Sequence, residues 1–200
     1  MSRIGNAILN LVAVIPASSE AVSGAPAQRA RTLARSAART TAQISGVAAL
    51  APGPLGLLSL LPDLVAVWKI QSQLVADIAA AYGKTATLDK EQMLFCLFKH
   101  SAAQVFRDVV FRTGERFLVR RASVRVLQKM AAVIGMRLSQ RAMGKAVSRF
   151  LPLVGATAVA GYAYYDTKQV AAAAIELFGS EIVLQDPDGL VIDVAATVLN

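Results

Sequence analysis

Cys96 and His100 are the first candidates for chemistry, because they are the only cysteine and the only histidine in the chain. Four residues apart on a helix, they would share a face, and a thiol beside an imidazole is the start of a nucleophilic pair. Such a pair also needs an orienting group and an oxyanion site, and no motif in the sequence supplies either. Because Cys96 lies within the apolar run LFCLF, we expect a buried, inert thiol.

Two short motifs resemble ligand-binding loops, but each lacks an essential part. Gly83-Lys84-Thr85 matches the end of a phosphate-binding loop, yet Ile78 stands where the first glycine is required and a helix precedes it. Residues 186–189 (DPDG) resemble the start of a calcium loop, but the glycine is two positions early and Thr197 replaces the bidentate acid. We therefore expect a helix stop and a turn, with no metal site, no cofactor and no enzymatic activity.

The charged residues are segregated along the chain, which has a formal net charge of +8. Residues 21–62 contain four arginines and no acid, and residues 116–165 contain nine bases and no acid. Residues 166–200 are acidic. Because a solvated surface normally mixes both signs, the two basic blocks predict a surface that binds a polyanion. Its candidate residues are Arg31, Arg35, Arg39, Arg120, Arg121, Arg125, Lys129, Arg137, Arg141, Lys145 and Arg149.

Two uncharged apolar segments, residues 44–62 and 150–165, adjoin the basic blocks. Proline and glycine interrupt both, and neither forms a simple transmembrane span. Periodicity leaves two interpretations open, burial as helical hairpins of the core or shallow insertion into a membrane surface. The candidate insertion residues are Leu55, Leu57, Leu58, Leu60, Leu61, Trp68, Leu151, Leu153, Val154 and Tyr162.

The spacing of apolar residues predicts an all-α fold, a compact bundle of about six to eight helices with two Pro/Gly-broken apolar hairpins. Expected helices cover residues 28–50, 63–82, 89–113, 116–133, 138–150 and 150–178, with glycines at 83, 114, 135 and 179 as stops or breaks. We assign residues 1–178 to one helical domain. Residues 179–200 are expected to form an acidic tail with a short hairpin or an extended conformation, because two β-prone runs flank the DPDG turn.

The N-terminus has two interpretations. Arg3 followed by an apolar run and small residues imitates a secretory signal peptide. Asn6 and Asn10 interrupt that run, however, and the apolar residues fall at helical spacing. We therefore favour an amphipathic helix that packs against the protein or contacts a membrane.

Residues 52–83 and 136–178 together resemble the EcsC protein family. The stretches concerned are PGPLGLLSLLPDLVAVWKIQSQLVADIAAAYG and MRLSQRAMGKAVSRFLPLVGATAVAGYAYYDTKQVAAAAIELF. The resemblance implies a helical, membrane-associated bacterial protein and carries no catalytic residues. Tyr164, Tyr165 and Asp166 depart from its pattern, and the last 20 residues lie outside it.

These features favour a binding protein on the cytoplasmic face of the membrane, where clustered bases contact anionic lipid headgroups. The alternative is an interaction module that docks on a membrane protein or on a second copy of itself. Nucleic acid also attracts clustered bases, but no base-reading motif or aromatic interleaving accompanies these arginines, so nucleic acid ranks third.

Overall fold

A computed structural model describes residues 6–10, 14–50, 60–145, 152–185 and 191–192, with side chains described except at 60–63, 137–145, 152–154 and 191–192. Five long helices account for most of this part of the chain. They are α1 (Pro26–Ala48), α2 (Leu60–Ala81), α3 (Lys90–Ala102), α4 (Val124–Lys145) and α5 (Pro152–Gly179). Residues 6–10 are also helical, and Thr85–Thr87 and Ala103–Phe106 form short 3-10 turns. The prediction of a mostly helical fold is confirmed.

Local sequence signals set several helix ends. Pro26 occupies the first turn of α1, where its missing N–H costs no hydrogen bond. Asp89 caps α3, because its side chain accepts a hydrogen bond from the Gln92 N–H at 2.9 Å. At the end of α2, Gly83 has a φ of 70°, and the Lys84 N–H donates to the Ala79 carbonyl. The predicted helix stop at Gly83 is confirmed.

The centre of the core is α3, in which all eight residues of 91–98 are buried. Phe95 packs edge-on against Phe106 at 5.8 Å between ring centroids. Trp68 of α2 meets Phe98 in the same way at 5.5 Å. Edge-to-face packing of large rings fills space between elements at little entropic cost. Helices α2, α3 and α5 therefore share one hydrophobic core.

Helices α1 and α5 pack antiparallel through small residues. Thr41 of α1 contacts Ala163 and Thr167, whereas Gly46, further along α1, lies against Ala160, which comes earlier in α5. A Cβ added to Gly46 would stand 3.2 Å from the Ala160 Cβ. Small side chains let the two backbones approach closely. The buried stripe of α1 consists of Ala30, Ala34, Ala38, Thr41 and Ser45.

A four-stranded sheet with the order β1-β2-β3-β4 covers one end of the core. Its strands are β1 (Val110–Thr113), β2 (Arg116–Arg120), β3 (Glu181–Gln185) and β4 (Val191–Ile192). Strands β1 and β2 are antiparallel, β2 and β3 are parallel, and β3 and β4 are antiparallel. Parallel strands need a long crossover, and here α4 and α5 lie between β2 and β3. The predicted C-terminal hairpin is present as β3 and β4, joined to the helical part through β2.

The prediction of continuous helix over residues 89–113 and 116–133 is wrong between Ala102 and Val124. Helix α3 ends at Ala102, and residues 110–120 form the β1-β2 hairpin. Phe117 and Val119 point into the core at a spacing of two, while Arg116 and Arg120 are exposed. Gly114 adopts a φ of 62° in the connecting turn. Aromatic and β-branched residues alternating around such a turn favour strands, and pairing with β3 stabilises them.

The predicted break at Gly135 is also wrong. Helix α4 continues through Gly135 to Lys145, so residues 138–145 belong to the same helix as residues 124–134. Glycine inside a helix costs about 1 kcal/mol relative to alanine, which packing can offset. Gly135 is buried and follows the fully buried Ile134. Residues 146–150 of the predicted sixth helix lie outside the described part of the chain.

Candidate anion-binding surface

The exposed side of α1 carries a row of arginines. Arg31, Arg35 and Arg39 are all exposed, because the four-residue spacing places them away from the buried alanine stripe. Among the described residues, none of the three forms an ion pair or a hydrogen bond with another side chain. The candidate residues predicted on α1 are therefore available to an external anion.

Arg29, on the same helix, has a different environment. Its Nε and Nη2 donate to the two carboxylate oxygens of Glu20 at 3.0 and 2.8 Å. The hydrogen bond from Arg29 lowers the pKa of the Glu20 carboxyl. Glu20 therefore neutralises Arg29, and the row of available arginines on α1 begins at Arg31.

A groove of about 390 Å³ runs between α1 and α5 beside this row. Arg31, Arg35 and Lys168 supply cationic side chains along it, and alanines together with Ile175 form most of its floor. The remaining lining residue is Glu176. That carboxylate is already paired with Lys99 of α3 at 2.5 Å and lies 3.9 Å from Arg112 of β1. The groove therefore has an excess of unpaired positive charge.

The second basic block is divided between three elements, so the prediction of one basic helix over residues 116–133 does not hold. Arg120 ends β2 and places its guanidinium 5.9 Å from the centre of the Phe111 ring. Arg121 lies in the next loop, and its backbone N–H donates to the Gln185 carbonyl. Arg125 and Lys129 are exposed on α4. The four bases are exposed and close in sequence, but they do not lie on one face of a single helix.

The third group of predicted bases belongs to the later part of α4 and beyond. Residues 137, 141 and 145 continue the four-residue register of Arg125 and Lys129 along the uninterrupted helix. Arg149 lies outside the described residues. Because α4 passes straight through Gly135, the structure joins predicted bases that the sequence analysis had assigned to two helices.

Exposed apolar side chains occur at the C-terminal end of α1 and within α5. Val47 is 70% exposed and Leu50 is 49% exposed, immediately before residues 51–59, which lie outside the described part. On α5, Tyr162 is 44% exposed and Tyr165 is 60% exposed. Because Gly46 contacts Ala160 and Thr41 contacts Ala163 and Thr167, Tyr162 lies between the levels of Thr41 and Gly46, and Tyr165 lies level with Thr41. We call Val47 and Leu50 the apolar end.

Trp68 is not part of that end, and its prediction as an insertion residue is wrong. Only 4% of Trp68 is exposed, because its indole packs on Phe98 in the core. Tyr162 is the one predicted insertion residue whose side chain is both described and exposed. Leu60 and Leu61 start α2, and Leu153 and Val154 lie in the first turn of α5, without described side chains. Leu55, Leu57, Leu58 and Leu151 lie outside the described residues.

Cys96 and His100 have separate environments. Cys96 is fully buried, and burial raises the pKa of its thiol well above the ordinary range, so the thiolate is disfavoured. The Nε2 of His100 is instead hydrogen-bonded to Asp166 Oδ1 at 2.7 Å. The Cys96 thiol is therefore buried and inert. Among the described residues, no group of three or more His, Cys, Asp or Glu side chains could hold a metal ion.

The Asp166 carboxylate belongs to a partly buried polar network that sequence analysis missed. Its Oδ2 accepts a hydrogen bond from Gln71 Nε2 at 2.8 Å, and Gln71 Nε2 also reaches Thr167 Oγ1 at 3.2 Å. Thr167 and Thr41 share a hydrogen bond of 2.9 Å. With His100, these residues connect α1, α2, α3 and α5. Two features of the sequence could have indicated this network. Asp166 directly follows an uncharged run, and Thr41 lies on the small-residue face of α1.

Lys84, in the phosphate-loop-like motif, has a structural role. Its Nζ donates to the Ser180 carbonyl at 2.5 Å and ties the end of α2 to the start of β3. Burial lowers the pKa of the Lys84 amine. The interpretation of Gly83-Lys84-Thr85 as a helix stop is confirmed.

In the part of the chain that the structure describes, one helical segment satisfies length and composition criteria for crossing a membrane. It is Leu64–Ala81, with a mean hydropathy of 1.2, and 61% of it is buried inside the protein. Core helices meet the same criteria, and the contacts of Trp68 place this helix in the core. The segment is therefore weak support for a membrane span.

Comparison with known proteins identifies a family. The sequence profile described as the EcsC protein family matches residues 6–179. This range covers α1 to α5 and the β1-β2 hairpin, and it ends where β3 is about to begin. No curated protein and no solved structure matches the chain.

Proposed function

The chain belongs to the EcsC protein family, and from this premise we propose that it is a non-enzymatic protein that binds anionic membrane surfaces from the cytoplasmic side. Binding uses exposed arginines for headgroups and the apolar end for shallow insertion. The observation that carries the proposal is that Arg39, which has no acidic partner among the described residues, and exposed Val47 lie on the same helix, away from its buried stripe.

The spacing along α1 suits a membrane surface. Arg39 and Val47 are eight residues apart, which at 1.5 Å per residue is about 12 Å along the helix axis. Interfacial segments insert their apolar side chains roughly 5–10 Å into the boundary between headgroups and acyl chains. Arg39 can therefore stay at the level of the phosphates while Val47 and Leu50 enter the apolar boundary.

The tyrosines of α5 support the same orientation. Along the axis of the helix pair, exposed Tyr162 and Tyr165 lie between the levels of Arg39 and Val47. Tyrosine is enriched at membrane interfaces, because its ring is apolar and its hydroxyl stays hydrated. Each base near an anionic surface contributes about 1 kcal/mol, so stable binding requires several bases and the apolar end together.

Vesicle co-sedimentation with the full chain tests the proposal. We expect binding to vesicles containing phosphatidylglycerol that weakens as salt is raised, and little binding to phosphatidylcholine alone, because salt screens the arginine contacts. The paired substitutions Val47→Ser and Leu50→Ser should lower binding severalfold. Val124→Ser is the matched control, since Val124 is also 70% exposed but starts α4. Equal binding to neutral and anionic vesicles would contradict the proposal.

Docking on a membrane protein or on a second copy of the chain is the competing function. Exposed tyrosines on α5 also suit a protein interface, where aromatic residues often dominate binding energy. Sedimentation analysis distinguishes the two functions. A discrete oligomer that dissociates when Val47 and Leu50 are changed to serine, with no vesicle binding, would favour the interaction module.

A further inference from the structure

We propose that the groove between α1 and α5 is a specific site for the phosphate group of an ester with a small aliphatic part. Arg31, Arg35 and Lys168 would hold the phosphate, and the alanine floor would receive the aliphatic part. The inference deepens the proposed function, since it gives the basic surface a defined ligand, but the groove can be tested separately from membrane binding. Two sources share this chemistry, a glycerophospholipid headgroup and a soluble organic phosphate.

Close packing of the two helices shapes the site. Ala34 and Ala171 are each only 2% exposed and lie where α1 and α5 approach. With such small residues between the backbones, the long side chains on either side stand along a shallow channel with an apolar floor. Arginines on one helix and a lysine on the other can therefore reach one anion from two directions.

The charge of the groove points to an anion. Its single acid, Glu176, is paired with Lys99 and has Arg112 as a second neighbour. Arg31, Arg35 and Lys168 have no acid within ion-pair distance among the described residues. Arg29 differs, because Glu20 binds it through two hydrogen bonds. Three cations that line one groove, with no acidic partner among the described residues, repel each other, and a bound dianion would offset that repulsion.

Phosphate fits these donors better than a carboxylate does. A guanidinium presents paired N–H groups that match two phosphate oxygens, and a lysine adds a third charge as a point donor. A volume of about 390 Å³ is at the small end of ligand sites, which suits a headgroup-sized ester. The floor of Ala34, Ala171, Ala172 and Ile175 offers no hydrogen-bonding side chain, so the rest of the ligand should be aliphatic.

The experiment measures binding of sn-glycerol 3-phosphate to the full chain by isothermal titration, beside vesicles of phosphatidylglycerol in phosphatidylcholine. Arg35→Gln and Lys168→Gln, on different helices, should each weaken glycerol phosphate binding at least fivefold. Arg107→Gln is the control, because it removes the charge of an exposed arginine that does not line the groove. Its effect should stay below twofold. Thermal unfolding of each variant checks that it is folded.

The outcomes separate the ligand sources and the two proposals. Competition of glycerol phosphate with vesicles would assign the groove to a lipid headgroup, and groove binding without vesicle binding would assign it to a soluble phosphate and refute membrane binding. Equal losses for Arg35→Gln and Arg107→Gln would overturn the groove site, because charge alone would then explain binding. Absence of glycerol phosphate binding, with vesicle binding unaffected by Arg35→Gln and Lys168→Gln, would also overturn it while membrane binding stands.

Discussion

Thr41 and Thr167 share a hydrogen bond of 2.9 Å between their hydroxyl oxygens, at the centre of the interface between α1 and α5. Both residues are fully buried. Thr167 also accepts from Gln71, which connects α2 to the same point. A buried hydroxyl without a partner costs free energy. The hydrogen bond between Thr41 and Thr167 therefore stabilises one alignment of the two helices relative to alignments shifted along their axes.

Replacing Thr167 by valine should therefore destabilise the protein by about 1–3 kcal/mol, since Thr41 and Gln71 each lose a buried partner. The double change Thr41→Val and Thr167→Val should cost less than the sum of the single changes, because it removes both hydroxyls of the pair. Urea unfolding measures these costs. Thr32→Val is the control on the exposed side of α1, where we expect a change within about 0.5 kcal/mol. Additive costs would show that the two hydroxyls are not coupled.

The close approach at Gly46 gives a second prediction. Leucine at this position must displace Ala160, whose Cβ lies 3.2 Å from the place of the new Cβ, and we expect a loss of about 1–3 kcal/mol. Gly161→Ala is the opposite case, because no atom lies within 4 Å of the added Cβ and α5 is helical there. Higher helix propensity should then stabilise the protein by about 0.5–1 kcal/mol. Thermal unfolding compares the two, and a neutral Gly46→Leu variant would contradict the observed helix spacing.

Asp89 makes stability depend on pH. Burial raises the pKa of its carboxyl from 3.8 to about 7 in the folded protein. Between about pH 4 and pH 7, the Asp89 carboxyl has lost its proton in the unfolded chain but keeps it in the folded protein. The contribution of this proton to stability is therefore present below about pH 4 and is lost as pH rises to about 7. Asparagine is an equally good helix cap without a charge.

We therefore expect Asp89→Asn to flatten the dependence of unfolding free energy on pH between about 4 and 7, and to raise stability at pH 8 by ~2 kcal/mol. Denaturant unfolding at several pH values measures the slope. Asp108→Asn is the control, because Asp108 is exposed. An unchanged slope in Asp89→Asn would show that other groups cause the pH dependence.

Trp68 is the only tryptophan of the chain, so its fluorescence reports on the core. Because only 4% of Trp68 is exposed, we expect blue-shifted emission and almost no quenching by iodide. Addition of anionic vesicles should leave the emission unchanged, and brominated lipids should not quench it, if the protein binds through the apolar end. Strong quenching by brominated lipid would mean that α2 leaves the core on binding.

The helix ends that lie at strong local signals are those that the sequence predicts well. Pro26 and Asp89 act within one turn of the helix start, and Gly83 acts within one turn of the helix end. Helix hydrogen bonds join residues four apart, so these signals operate before any tertiary contact exists. The exposed positions of Arg31, Arg35 and Arg39 follow from the same local period.

The pairing of β2 with β3 could not be predicted in this way. Residues 116–120 pair with residues 181–185, more than 60 positions later in the chain, and no local period encodes that partner. The network of Thr41, Gln71 and Asp166 also depends on contacts between helices that are distant in sequence.

What the sequence by itself determined is the helical character, the main helix ends, the segregation of charge and the family resemblance, because local periodicity and composition carry them. Tertiary structure alone decided which apolar residues are buried and which bases lie near one another. Trp68 and Tyr162 both occur in apolar helices, yet one packs on Phe98 and the other is exposed. Arg35 and Lys168 line one groove only because small residues bring α1 and α5 together. Burial and proximity depend on packing between distant segments, and that packing is a property of the folded chain.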